Sequence, residues 1–411
     1  MSTTSIEPTS SQSTSLSAAH PTNGVSSSQA TGATAAVPAF PVKTPSLKAK
    51  QGKDSDSIEL IRPLRPANHP LFLPFHHPPP RRKTNILLHI LMHLLLLPRL
   101  AVILFFLFLS WSTARFVPSP YSRMMFPYLS RSVLFACGFF SIRITRDSSS
   151  KSSQPSHAEE QEQEGEEEEG SYALISNHTS MLDPLVLIYT HCAGFVAKDS
   201  IATVPIIGTI TKALNSLFVD RLKGQGNFTA RLVERQHLLA KRCHPSPYQM
   251  NSRLDESGKD NEEGRIVIFP EGTTTNGKYM LKYRSGGFVS KLPVQPILIY
   301  YPFETFSPTY ETIRWYKFLY YTLIQPINFA EVIVMPVYRP SEEEKEDPKL
   351  YAENVRKVMK ERLDVEFSEA RFEDKLEFHH VVRGDPIPKH LIKKSQAGRG
   401  DGIVLENKKE K

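Results

Sequence analysis

With 411 residues, 40% of them hydrophobic and 23% charged, the chain is large enough for roughly two to three domains, although its polar stretches lower that number. The net charge of +7 is reached despite eight glutamates crowded between Glu159 and Glu169, so the remainder is more basic still and suits an anionic partner. With no aromatic-interleaved basic motif, zinc-finger spacing or recognition-helix signature, that partner is a phospholipid surface or a phosphate-bearing substrate and no nucleic acid; the three scattered cysteines, Cys137, Cys192 and Cys243, exclude a disulfide framework and point to the reducing, cytosolic side.

Residues 1–80 read as a disordered N-terminal tail. The first 57 are rich in Ser, Thr, Ala and Pro with almost no aromatics, and cannot bury enough surface to offset the entropy of ordering. The first residues lack a charged start followed by an apolar core, so no secretory signal peptide is expected. Membrane attachment falls instead on 81–146, read as membrane-associated helices and a first strand. The apolar run over 86–112 exceeds the roughly 20 residues that a crossing helix needs, but Pro98-Arg99 interrupts it. Two geometries fit: one tilted helix with Arg99 shielded by protein, or two short helices forming a re-entrant hairpin. Basic residues on both sides, Arg81, Arg82 and Lys83 before and Arg115, Arg123 and Arg131 after, give no inside-outside asymmetry and favour the hairpin. Met124 to Phe140 then reads as an interfacial or core helix, leading to a strand near Phe139 to Thr145. The Ser- and Glu-rich segment 147–170 is an acidic disordered insertion, a solvated loop or a regulatory tract.

From 171 to 385 the pattern is that of an α/β domain. Tyr172 to Ile175 reads as a buried strand, and directly after it come Asn177-His178-Thr179-Ser180-Met181-Leu182-Asp183-Pro184. A carboxylate in reach of an imidazole fixes its tautomer and raises its basicity, so His178 with Asp183 can take a proton from a hydroxyl; an ordinary turn would produce the same pair. Further elements come next as a helix after Asp183, a strand from Gly194 to Lys198, a helix over 205–214, a strand over 216–219 and a helix capped by Asn227. Residues 243–264 are a polar surface insertion. A strand over 265–269 then enters Pro270-Glu271-Gly272-Thr273-Thr274-Thr275, a carboxylate, a bare glycine and three hydroxyls beside backbone amides that can hold phosphate oxygens. Lys278, Lys282 and Arg284 complete an anion pocket, and Val294 to Ile299 gives another buried strand, with Pro296 near its start.

In this order, Asn-His-Thr-Ser-Met-Leu-Asp, Leu-Phe-Val-Asp-Arg, Phe-Pro-Glu-Gly-Thr and Val-Gln-Pro-Ile resemble the four blocks of the membrane-bound glycerolipid acyltransferase superfamily. The segment 332–374 resembles the stretch C-terminal to those blocks in the lysophosphatidylcholine acyltransferase branch and in fungal lysophosphatidic acid:oleoyl-CoA acyltransferases. The resemblance implies an α/β acyltransferase fold, a central mixed sheet flanked by helices and preceded by a membrane-embedded helical segment. It implies the activity of an acyl-CoA-dependent 1-acylglycerol-3-phosphate acyltransferase making phosphatidic acid, with another lysophospholipid as the alternative acceptor and a catalytically silent lipid-binding scaffold as the second alternative.

Carried over by position, His178 is the general base and Asp183 its partner, with direct attack on the thioester and no acyl-enzyme. Arg221, Glu271, Gly272 and Thr273 match blocks credited with holding the acceptor, and Pro296 matches the block that shapes the acyl-chain side. Lys198 and Lys282 are placed near acceptor phosphate or coenzyme A on charge alone. Many members that take lysophosphatidic acid carry an arginine directly after Glu-Gly-Thr; here Thr274 stands there, and a hydroxyl cannot replace a guanidinium's charge. The implied partners are acyl-CoA as co-substrate, a lysophospholipid acceptor and a phospholipid membrane, with no cofactor and no metal. A helix beginning at Pro348 and the pair His379-His380 add no chemistry. The basic tail 386–411 ends in Lys408-Lys409-Glu410-Lys411, similar to a dilysine signal for the endoplasmic reticulum membrane, with the domain facing the cytosol and lipid droplets as a further location.

Overall fold

The computed structural model describes residues 65–82, 85–147, 172–219, 226–240 and 265–384. The tail up to 64, the acidic insertion beyond Asp147, the insertion 243–264, Arg221 and the basic C-terminal tail lie outside the described residues.

Helix α1 (Ile86–Phe116) opens at Asn85, whose side chain accepts the Leu87 N–H at 2.9 Å. It continues unbroken through Pro98-Arg99, which corrects the expected pair of short helices. Proline removes one backbone donor from the helix, and the residue after it, Arg99, fastens the same turn to the domain. Its guanidinium donates to the carbonyls of Leu323, Gln325 and Pro326 at 2.7, 2.6 and 3.2 Å. Helix α2 (Ser119–Ala136) packs on α1 and likewise runs through Pro127. Among the described residues, α1 is the one helix long and apolar enough to cross a membrane.

The domain then alternates strand and helix: β1 (Ile142–Arg146), β2 (Ala173–Ser176), α3 (Asp183–His191), β3 (Gly194–Lys198), α4 (Ile207–Ala213), β4 (Leu217–Val219), α5 (Gly226–Ala240) and β5 (Ile266–Ile268). It closes with β6 (Tyr279–Leu281), β7 (Val294–Tyr300), α6 (Trp315–Leu323), β8 (Ala330–Val334), α7 (Glu342–Glu346), α8 (Pro348–Lys360), β9 (Glu366–Ser368) and α9 (Phe372–Arg383). Seven strands form one sheet in the order β1-β8-β7-β2-β5-β3-β4, and β6 pairs with β9 separately. From β7 to β4 all neighbours are parallel, whereas β8 is antiparallel to β7 and carries β1 parallel to itself. The sheet is therefore mixed, as the family resemblance implied.

Strand residues alternate between two cores because successive side chains leave opposite faces of a strand. Leu174, Val267, Ile297 and Ile299 pack with Val186, Leu187 and Phe318 on one face. Ile175, Ile266, Ile268 and Leu298 pack on the other face with the α8 stripe Tyr351, Val355 and Met359. Asp347 caps α8 through the Lys349 N–H at 2.8 Å, with Pro348 in the first turn as its sequence predicts.

Residues 65–80 correct the reading of a disordered tail up to 80. Phe72 and Phe75, three apart in a 3-10 turn (Pro70–Phe75), share one face and are fully buried with Leu281, Ala370 and Phe378. Arg65 pairs with Asp374 at 2.7 Å, and Asn276 donates from its side chain to the carbonyls of Leu73 and His76 at 2.8 and 3.0 Å. Two buried phenylalanines and these polar ties supply what the serine-rich start lacks.

Candidate active site

Strands β2 and β5 are parallel neighbours, with Leu174 opposite Val267 and Ile175 opposite Ile268. The chain therefore leaves both at the same edge of the sheet, about 4.8 Å apart, and the carboxyl edge of parallel strands is where ligands gather. Asn177 extends the pairing of β2 with β7: its side chain donates to Ile299 O at 2.9 Å and accepts the Ile299 N–H at 2.8 Å. The next residue, His178, is thereby held at the rim.

His178 Nδ1 lies 2.8 Å from Oδ2 of Asp183, the fully buried first residue of α3. The same oxygen accepts the N–H groups of Thr179 and Ser180 at 2.7 and 2.9 Å, and the Tyr301 hydroxyl donates to Oδ1 at 2.7 Å. Burial, reinforced by the charge of Asp183, pushes the Tyr301 hydroxyl well above its ordinary range, so it remains a donor. Four donors converge on one carboxylate, which assigns the imidazole proton to Nδ1 and leaves Nε2 as the basic nitrogen. The ring stacks on Phe269, with centroids 4.1 Å apart and planes 18° from parallel, and the side chain keeps 21% of its surface exposed. It is fixed in direction yet open on one side.

The second loop is tied to the first. Glu271 Oε1 accepts the His178 N–H at 3.1 Å and Oε2 the Leu281 N–H at 2.9 Å, while the Thr275 N–H donates to His178 O at 3.0 Å. Glu271 is 3% exposed, and burial pushes its carboxyl up to about 7 against the pull of those two donors. The residue expected to hold the acceptor is thus turned inward and serves as a clamp. Thr274 is turned inward too, its hydroxyl donating to Tyr310 O. Gly272 has φ +71°, the left-handed region that suits glycine, and the Arg284 guanidinium covers it: an added Cβ would meet Arg284 Nε at 2.9 Å. Thr273 is buried beside it, whereas Arg284 is exposed.

Residues 156–300 match the Acyltransferase family profile. A lysophospholipid acyltransferase of Arabidopsis thaliana, LPEAT1, is 37% identical over 265 residues, 63% of this chain and 63% of that protein. Lysophosphatidylcholine acyltransferase 1 of Danio rerio is 34% identical over 199 residues, 48% of this chain and 35% of that protein. Residues 156–300 are thus similar to an acyltransferase domain, and the chain is similar to lysophospholipid acyltransferases over up to 63% of its length. It spans less than two thirds of the length of these relatives. A crystal structure of the 1-acyl-sn-glycerophosphate (LPA) acyltransferase PlsC from Thermotoga maritima shares 15% identity at a TM-score of 0.36, covering 67% of this chain and 96% of that one.

The remaining expected positions are placed unevenly. Lys198 ends β3 and is exposed at the same carboxyl edge, one strand beyond β5. Lys282 is exposed just after β6, two residues from Arg284. Pro296 is buried within β7 opposite Ile175, and its carbonyl accepts the Met335 N–H at 3.0 Å. It belongs to the buried part of the sheet.

Sequence reasoning passed over Tyr301, Phe269 and Lys375. Lys375, on α9 and 5% exposed, donates to the carbonyl and hydroxyl oxygens of Thr274 at 2.8 and 2.7 Å. Burial lowers its pKa from 10.5 to about 7, with Glu311 acting in the opposite sense. Between those values the unfolded lysine keeps a proton that the folded one has given up, so the stability linked to Lys375 rises with pH from about 7 toward 10.5. The gap in melting temperature between wild type and Lys375→Met should therefore change in favour of wild type as pH is raised from 7 to 9; a gap independent of pH would contradict this protonation.

Proposed function

We propose that this protein transfers an acyl group from acyl-CoA to the free hydroxyl of a lysophospholipid. The observation that carries this reading is the His178–Asp183 pair, in which the carboxylate engages Nδ1 and leaves Nε2 as the basic nitrogen of a partly exposed ring. Nε2 removes the proton from the acceptor hydroxyl, and the oxygen attacks the thioester carbonyl. A carbon–oxygen bond forms, the carbon–sulfur bond breaks, and the departing thiolate recovers the proton from the imidazolium that Asp183 has stabilised. No protein nucleophile and no cofactor takes part.

The acceptor expected from the sequence is 1-acylglycerol-3-phosphate. A second acceptor class, lysophosphatidylcholine or another head-group-bearing lysophospholipid, is favoured by Thr274, which turns inward where an arginine would grip a free phosphate. In either case the exposed Arg284, whose guanidinium covers Gly272, is the cation we assign to the phosphate. A charge-assisted contact of this kind contributes roughly 1.5–3 kcal/mol. Arg284→Ala should raise the acceptor KM by roughly 10-fold or more with kcat nearly unchanged; an unchanged KM would remove Arg284 from the site. Purified protein given radiolabelled oleoyl-CoA and a panel of lysophospholipids tests the reaction and ranks the acceptors, and no product with any of them would leave the scaffold reading. The location proposed is the endoplasmic reticulum membrane, with the domain on the cytosolic side and lipid droplets as a further site.

A further inference from the structure

The segment between β7 and β8 carries α6, which the proposed reaction does not use. Its inward face is Phe318, Thr322 and Leu323, all buried. Its outward face reads Trp315, Tyr316, Lys317 and Tyr321, and the two leading aromatics are 61% and 48% exposed. Ile327 and Phe329, on the turn after α6, are exposed as well. Such a row is costly in water and is not covered by any other part of the described chain.

The way α6 is fastened indicates its cover. The Tyr320 hydroxyl lies 2.6 Å from His93 Nε2 of α1, and the Arg99 guanidinium of α1 holds the carbonyls at and beyond the C-terminal end of α6. The exposed face of α1 is a long apolar row that includes Leu87, Leu94, Leu97 and Leu104 and continues to Phe105 and Phe108, long enough to lie in hydrocarbon. Beside it the exposed side chains of α6 change from leucine to tryptophan, tyrosine and lysine. That change is the one met on passing from hydrocarbon to head groups, where amphipathic rings settle and lysine reaches phosphate.

We propose that α6 is a second membrane element, lying among the phospholipid head groups next to α1 with Trp315, Tyr316 and Tyr321 at the interface and Lys317 against lipid phosphate. This rests on α1 being in the bilayer, and the chain's two tryptophans, Trp111 on α1 and Trp315 on α6, separate the two statements.

Full-length Trp111→Phe protein reports on Trp315 alone, and Trp315→Phe on Trp111 alone. Each is bound to phosphatidylcholine–phosphatidylserine vesicles whose acyl chains carry bromine near the head group or near the bilayer centre. Trp315 emission should shift to the blue and be quenched more by the shallow bromines than by the deep ones, and Lys317→Glu should weaken vesicle binding several-fold as phosphatidylserine is increased. Trp111 quenched with Trp315 unaffected would leave α1 in the membrane and overturn the role of α6. Neither quenched would overturn both. Trp315 already shielded from aqueous acrylamide before vesicles are added would mean that protein, not lipid, covers this face, and the proposal would fall. Melting curves of both tryptophan variants, matched to wild type, exclude misfolding as the cause of any outcome.

Discussion

Replacing His178 with alanine should lower kcat by about 10²–10⁴-fold, the range that a positioned general base contributes. The fold should survive the change. The imidazole is one of four donors on Asp183, and the other three, the N–H groups of Thr179 and Ser180 and the Tyr301 hydroxyl, stay in place. The ring is also partly open to solvent, so its removal leaves no sealed cavity. Initial rates at saturating acyl-CoA and acceptor, read beside a melting curve, check both halves of the expectation. Equal rates in wild type and variant would remove the mechanism, whatever the protein binds.

The second large effect concerns Glu271, for which two roles make opposite forecasts. As a clamp it accepts two buried backbone N–H groups, one on each oxygen. Glutamine has one oxygen and one NH₂ group, so in either orientation Glu271→Gln sets a donor against a donor and leaves the N–H of His178 or of Leu281 unsatisfied. That costs about 1–3 kcal/mol of stability. His178 then loses its backbone anchor, and a displacement of about 1 Å at a reacting group can cost about 10²-fold in rate. The variant should therefore melt earlier and lose kcat. A residue that binds the acceptor would instead raise KM and leave the melting temperature alone, and that result would return Glu271 to the substrate site.

Much of the architecture is legible in the chain because the parallel strands are short apolar runs closed by recognisable breakers. Gly194 to Lys198 is a strand as read, and the strand that begins at Val294 runs only one residue beyond its apolar pattern. The dyad is legible because a short loop joins His178 to Asp183; how the pair is held at the rim depends on Ile299 and Glu271, far along the chain. What the pattern could not show depends on distant parts of the chain. Tyr301 lies 118 residues from Asp183, and Lys375 lies 101 from Thr274, so no local spacing links either pair. The continuity of α1 was hidden in a different way. Pro98-Arg99 reads as a breaker in sequence, and the carbonyls that receive Arg99 lie 224 to 227 residues away. The inward turn of Glu271 was not legible either, because its block is defined by composition, whereas the direction of the carboxylate depends on the N–H groups of His178 and Leu281.

The grip of Arg99 also has a history during synthesis. Its carbonyl partners are 224 to 227 residues further along the chain, so at a translation rate of about 5–20 residues per second roughly 10–45 s pass before they exist. Throughout that interval the guanidinium is without these acceptors. Any cost of withdrawing it from water therefore falls on the nascent chain, before the finished protein can cover it.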